Sequence, residues 1–188
     1  MGIRARLCRS AVAGAVSVAL LLAGVGTAQA GVRSFQDGFE SNPAAKWTVQ
    51  TIGGGQAGFD YNINAGRSGQ NNGWLHSGYN APAGTAAAMG VWVSTGTGGT
   101  SDCIAQIYVN PLNDRSTSVN VEIFDSAGTK ITGASRNLTF TGYQAVQSDW
   151  FQLNGYRSVF ARFMVVDKGR GHDGEWLRLD DFALHCYY

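Results

Sequence analysis

Three stretches of this chain alternate between apolar and polar residues, and that period of two constrains the fold more than any other feature. "CIAQIYVN" sets Cys103, Ala105, Ile107 and Val109 on one side, with Ile104, Gln106 and Tyr108 on the other. "SVNVEIF" opposes Val119, Val121 and Ile123 to Asn120 and Glu122, and "SVFARFMVV" opposes Val159, Ala161, Phe163 and Val165 to Phe160, Arg162 and Met164. Successive strand side chains point to opposite faces, so each stretch reads as a strand with one buried face. "DSAG" (Asp125 to Gly128) followed by "TKITG" reads as a hairpin. Further strands are expected around "KWTVQTI", "GWLHS", "MGVWVS", "NLTFTG" and "DWFQL", and no window carries an apolar stripe at helical spacing. Many short strands between turn signals predict an all-β domain of two packed antiparallel sheets. The segment between Gly53 and Gly73 is too rich in Gly and Asn for much regular structure and is expected to be a long surface connection.

Residues 1–30 stand apart from this pattern. Arg4, Arg6 and Arg9 precede the apolar run "AVAGAVSVALLLAGVG", which ends in the small-x-small triplet "AQA". That order predicts a secretory signal peptide over 1–30, a single domain over 31–188, and an extracellular protein. The leader would take three arginines and no acid, turning a net charge of +1 into one near −2. Such a balance gives no reason to expect nucleic acid or a membrane surface as partner, and a monomer is the expectation. Of three cysteines, Cys103 and Cys186 remain; in an oxidising compartment one disulfide between them is the simplest outcome.

The last apolar stretch, "LRLDDFALHC", breaks its own rhythm. Its apolar residues fall at Leu177, Leu179, Phe182 and Leu184, so the phase slips at Asp180 and Asp181. A β-bulge inserts such an extra residue and re-aims the side chains around it. One carboxylate then leaves the core to join carbonyl oxygens around a hard cation. Asp180 is expected as the ligand, with Asp181 serving the bulge and facing solvent; the alternative is that both aspartates face water or pair with Arg178.

"DGFES" (Asp37 to Ser41) and "LRLDDFAL" resemble the two ends of galactose-binding-like jelly-roll modules, among them carbohydrate-binding modules of families four, nine and twenty-two. Between them, Trp47, "NNGWLHS", "VNVEIFDSAG" and the Trp-led "DWFQL" follow in the family's order. The resemblance implies a jelly-roll β-sandwich and a structural calcium joining the chain's two ends. Carried over, its ligands are the Gly38 carbonyl, Glu40, carbonyls of the Gln70–Gly73 turn, and Asp180. Gln70 stands where family members can place an acid, which removes one negative charge from the site.

Catalytic groups are sparse. Glycoside hydrolysis needs two carboxylates across one sugar, and beyond Glu40 only Glu122 and Glu175 remain as glutamates in 31–188. His172, Asp173 and Glu175 share "GRGHDGEW", which reads as a polar turn between strands. Binding fits the composition better: sugars stack their C–H faces on aromatic rings and pair hydroxyls with polar groups. Outward strand positions offering this mixture are Trp92, Tyr108, Asn120, Glu122, Arg162, Trp176 and Arg178, while Trp47 and Trp150 are expected to be packed. The sequence therefore predicts a secreted, non-catalytic protein binding a polysaccharide or glycan. A small glycoside hydrolase or polysaccharide lyase on a similar sandwich, and an extracellular protein-interaction domain, stay open as alternatives.

Overall fold

A computed structural model of the chain describes residues 31–96, 101–112, 116–139, 141–169 and 174–188. The predicted leader, His172 and Asp173 lie outside these residues. The elements in order are β1 (Val32–Asp37), α1 (Pro43–Lys46), β2 (Trp47–Ile52), β3 (Gln56–Asp60), β4 (Asn72–His76), β5 (Ala86–Ser94), β6 (Asp102–Pro111), β7 (Thr117–Phe124), β8 (Lys130–Leu138), β9 (Gln144–Gln147), β10 (Phe151–Gln152), β11 (Ser158–Val166) and β12 (Trp176–Tyr187). Sheet A has the order β10-β6-β12-β4-β3, with β1 also on β12 and β9 also on β6; sheet B runs β2-β5-β11-β7-β8. All strand pairs are antiparallel.

The core follows from the alternation. Cys103, Ala105, Ile107 and Val109 of sheet A are buried, as are Val119, Val121, Ile123, Val159, Ala161, Phe163 and Val165 of sheet B. The packed sheets thus remove from water the faces that the sequence marks as apolar, the main stabilising contribution to a sandwich. Phe39 and Trp47 stack at 4.6 Å, and Phe182 meets Trp47 edge-on at 5.5 Å, so both ends of the chain join one aromatic cluster.

Three expectations are corrected. The Gly- and Asn-rich segment contains β3, which pairs with β4 from Gln56↔His76 to Asp60↔Asn72, leaving the 53–55 turn and 61–71 outside the strands. Gly58 interrupts the apolar pattern of β3 because the Trp74 indole lies across it: a Cβ there would sit 2.8 Å from Trp74 Cζ2. Trp150 is 58% exposed rather than packed. Among the described residues "NLTFTG" forms no strand of its own, since Asn137 and Leu138 end β8.

The phase slip in β12 is a bulge between Asp180 and Ala183, opposite β6. Asp181 takes a left-handed backbone (φ 48°) there, which Asp tolerates better than most residues. Leu177, Leu179, Phe182 and Leu184 consequently all reach the core. Cys103 and Cys186 are cross-strand partners in β6 and β12 and form a disulfide.

Candidate functional site

Strand direction divides the seven candidate glycan-binding residues between opposite faces of the sandwich. Trp92, Asn120, Glu122 and Arg162 stand on the outer face of sheet B; Tyr108, Trp176 and Arg178 belong to sheet A. Alternation identifies an outward residue but not which sheet it leaves, so the sequence groups residues that the fold separates.

The sheet B group is the more open. Outward positions of β5 run Ala86, Ala88, Gly90 and Trp92, because Ala87, Met89, Val91 and Val93 face the core. These three small residues are nonetheless buried beneath neighbouring side chains, whereas Trp92 at the end of the row is 50% exposed. Phe160 lies 5.2 Å from Trp92, and its ring covers Gly90, where a Cβ would sit 2.3 Å from Phe160 Cζ. A shallow cavity of about 210 Å³ here is lined by Gln50, Trp92, Phe124, Asp125, Gly128, Phe160 and Arg162.

Its polar side is a charge cluster. Arg162 Nη2 and Nε donate to Glu122 Oε2 at 2.6 and 2.9 Å, and Lys130 Nζ donates to Oε1 at 2.9 Å. Arg162 also reaches Gln50 and lies 4.6 Å over the Phe124 ring. Burial works to raise the Glu122 carboxyl, but hydrogen bonds from Lys130 and Arg162 outweigh it and hold the group below the ordinary glutamate range. This is a fixed donor–acceptor array beside aromatic rings, suited to hydroxyls and C–H faces. Asn120 lies one outward step from Glu122 and is partly exposed. Gln50, Phe124, Lys130 and Phe160 were missed in the sequence; the outward phase of "SVFARFMVV" marks Phe160.

Glu122 and Glu175 have separate partners. Glu175 is buried just before β12, where Thr117 Oγ1 donates to Oε2 at 2.5 Å and the Glu175 amide donates to Ser77 Oγ.

On sheet A, the 61–71 loop crosses the outer face at the bulge. Asp180 is fully buried beneath it: Oδ2 accepts from the Arg67 and Ser68 amides at 2.7 and 2.9 Å, and Oδ1 from the Asp181 amide at 2.8 Å. Burial raises its carboxyl to about 6, against the pull of the Ser68, Asp181 and Arg67 amides. Asp181, expected in solvent, instead accepts from Arg67 Nη1 and Ser68 Oγ, each at 2.5 Å. Arg67 lies 3.6 Å over the Tyr108 ring, so Tyr108 is covered by the loop. Trp176 and Arg178 emerge on the other side of the crossing, beside Trp74 and Asp60.

The residues that the family resemblance assigns to calcium fall into place unevenly. Glu40 Oε1 accepts from the Gln70 and Asn71 amides at 2.9 and 2.8 Å. Gly38 sits against Asp181 and Ser68. Gly73 lies within β4, where an added Cβ would meet Met89 and Phe39, and its carbonyl accepts from Asn72 Nδ2 at 3.0 Å. The Gln70 carbonyl accepts from the Ile63 amide. Other oxygens converge instead: a Cβ placed on Gly66 would lie 2.7 Å from Ser68 O, 2.8 Å from Asn71 O and 2.9 Å from Asp180 Oδ2. Asn72, fully buried and one register step beyond the Leu179–Gly73 pair, has an Oδ1 without a partner. Among the described residues no three His, Cys, Asp or Glu side chains gather at one point, so an ion here would rest on one carboxylate and several neutral oxygens, a set that suits calcium.

No family model matches the sequence, and no curated protein matches it. The fold is that of jelly-roll carbohydrate-binding modules. The TmCBM61 structure, solved with β-1,4-galactotriose, matches at TM-score 0.53 and 14% identity over 78% of this chain and 92% of that one. The CBM22-1 xylan-binding domain of Paenibacillus barcinonensis matches at TM-score 0.55 and 13% identity, over 81% and 92%. An arabinose-bound MgGH51 α-L-arabinofuranosidase also matches, at TM-score 0.56 and 13% identity over 78% of this chain, but only 24% of that enzyme's length is involved.

Proposed function

We propose that this chain is a secreted, non-catalytic carbohydrate-binding protein that holds a polysaccharide or glycan on the outer face of sheet B. The observation that carries this reading is the exposed Trp92–Phe160 platform beside the Glu122–Arg162–Lys130 array. A sugar ring stacks on the aromatics while its hydroxyls exchange hydrogen bonds with Gln50, Glu122 and Arg162. The solved modules sharing the fold, one with galactotriose bound and one xylan-binding, favour a sugar ligand. Export is supported by the Cys103–Cys186 disulfide, a bond that persists in oxidising compartments.

The non-catalytic part rests on the carboxylates. Glu122 is ion-paired and held ionised, which makes it a poor proton donor, and Glu175 is engaged with Thr117. Calcium belongs to the same proposal as a structural ion: Asp180, the Ser68 and Asn71 carbonyls and Asn72 Oδ1 would hold it and tie the loop to β12.

Affinity gel electrophoresis against β-1,4-galactan, xylan, β-glucan, chitin and α-glucans tests the proposal. Retardation by at least one polymer, lost in Trp92→Ala, is the expected result. No retardation on any glycan refutes it, and sustained release of sugar products would move the protein to the hydrolase or lyase class.

A further inference from the structure

Beyond the loop crossing, sheet A carries a second group with the same construction as the sheet B face. Trp74 and Trp176 stand on β4 and β12 with ring centroids 6.3 Å apart, both partly exposed. Gly58, the cross-strand partner of Trp74, lets that indole lie flat across β3, just as Gly90 lets Phe160 lie flat across β5. Tyr79, 61% exposed, extends the aromatic surface through contacts with His76, which itself touches Trp176.

The polar partners are poised rather than closed. Arg178 Nε is 3.6 Å from Asp60 Oδ2, longer than a hydrogen bond. That buried Nε has no hydrogen-bond partner. Asp60 Oδ2 also accepts from Asn72 Nδ2 at 3.1 Å, while the Arg178 and Asp60 side chains both stay partly exposed, so a ligand hydroxyl would meet the outer edge of the guanidinium and the carboxylate. Flat rings beside a carboxylate–guanidinium pair are the chemistry that recognises a neutral pyranose or furanose: C–H faces on the indoles, hydroxyls on Asp60 and Arg178.

The geometry points to a second carbohydrate-binding surface, built from Trp74, Trp176, Tyr79, Asp60 and Arg178, on the side of the sandwich opposite Trp92. This inference rests on the carbohydrate reading above and goes beyond it: two surfaces back to back make one chain bivalent, able to bridge two glycan chains. Bridging raises apparent affinity for a polymer without any new contact, because the second binding event is intramolecular.

The full exported chain is titrated with soluble β-1,4-galactan, xylan and β-glucan, and with oligosaccharides of the polymer it binds. Calorimetry should give two oligosaccharides per chain, and light scattering should show polymer cross-linking. Trp92→Ala and the pair Trp74→Ala/Trp176→Ala should each leave one oligosaccharide site. Each should abolish cross-linking and weaken polymer binding at least tenfold. Gly58→Ala, which pushes the Trp74 ring off β3 without removing an indole, should reproduce the effect at that surface in a chain whose melting transition stays cooperative. One oligosaccharide per chain, lost wholly in Trp92→Ala and untouched by Gly58→Ala and Trp74→Ala/Trp176→Ala, overturns the second surface and leaves the sheet B site standing. Binding that survives Trp92→Ala unchanged but vanishes in Trp74→Ala/Trp176→Ala supports the sheet A surface and overturns the sheet B site. No binding to any polymer by the unmutated chain overturns both.

Discussion

Glu40 and Asp180 grip the same loop three residues apart: Asp180 takes the amides of Arg67 and Ser68, and Glu40 those of Gln70 and Asn71. One carboxylate follows the first strand and the other lies in the last, so the 61–71 loop is fastened by both ends of the domain. Removing a buried acceptor leaves its donors unsatisfied, at about 1–3 kcal/mol each. Asp180→Ala, which strands the two loop amides, should therefore destabilise the fold by about 2–6 kcal/mol, read by chemical denaturation. Asp181→Ala, which frees the partly exposed Arg67 and Ser68 side chains, should cost less, about 1 kcal/mol. Calcium should raise the melting temperature of the unmutated protein and of Asp181→Ala, but not of Asp180→Ala. A melting temperature indifferent to calcium in the unmutated protein rejects the ion and keeps the loop-fastening role.

Glu122 gives a pH prediction. Its folded carboxyl titrates below the ordinary glutamate value of about 4.3, because Lys130 and Arg162 outweigh the opposing effect of burial. A depressed folded value means that the unfolded chain binds the proton first as pH falls. The stabilisation is therefore present above the ordinary glutamate value and lost as pH falls through the folded one. Glu122→Gln should be less stable than the unmutated protein at neutral pH, and the gap should close on acidification toward pH 3. A gap that stays constant across that range would show that the ion pairs contribute nothing to stability.

The sandwich was legible because burial on one face imposes a period of two, and the bulge because it breaks that period at Asp180 and Asp181. The disulfide followed from two cysteines in phase with apolar neighbours. What was hidden depends on partners from other strands. β3 was missed because Gly58 accommodates Trp74, and nothing in "QAGFD" itself reports an indole from β4. Trp92 and Trp176 are both outward in sequence, yet only strand order places them on opposite faces. The oxygens near Asp180 come mainly from the Ser68 and Asn71 main chain, and a carbonyl belongs to every residue type, so composition leaves no trace of it.

The Cys103–Cys186 bond spans 83 residues of sequence, and closing so long a loop in the unfolded chain contributes about 4–5 kcal/mol in the entropy model, with delivered values often lower. Cys103→Ala/Cys186→Ala should lose about 2–4 kcal/mol, since both side chains are buried and alanine also leaves a small cavity. Thiol titration of the unreduced, unfolded protein should find no free thiol in residues 31–188. Two reactive thiols would refute the bond.

Gly90→Ala tests whether the sheet B platform depends on the space that Gly90 leaves for Phe160. Gly90 lies on β5 between β2 and β11, opposite Thr48 and Arg162, so its strand cannot shift without disturbing two ladders. An added Cβ would meet Phe160 Cζ at 2.3 Å and the Ala161 carbonyl oxygen at 2.8 Å. The ring can swing away, whereas the carbonyl belongs to the central ladder and cannot. Overpacking of this kind costs about 1–3 kcal/mol. The displaced Phe160 would also leave Trp92 without its neighbour at 5.2 Å. Gly90→Ala should thus lower stability by that amount and weaken glycan binding several-fold, while Gly84→Ala, whose added Cβ meets open space but whose backbone has a positive φ, should lose stability and keep its affinity. Glycan affinity unchanged in a folded Gly90→Ala protein would show that Phe160 is no part of the sugar platform.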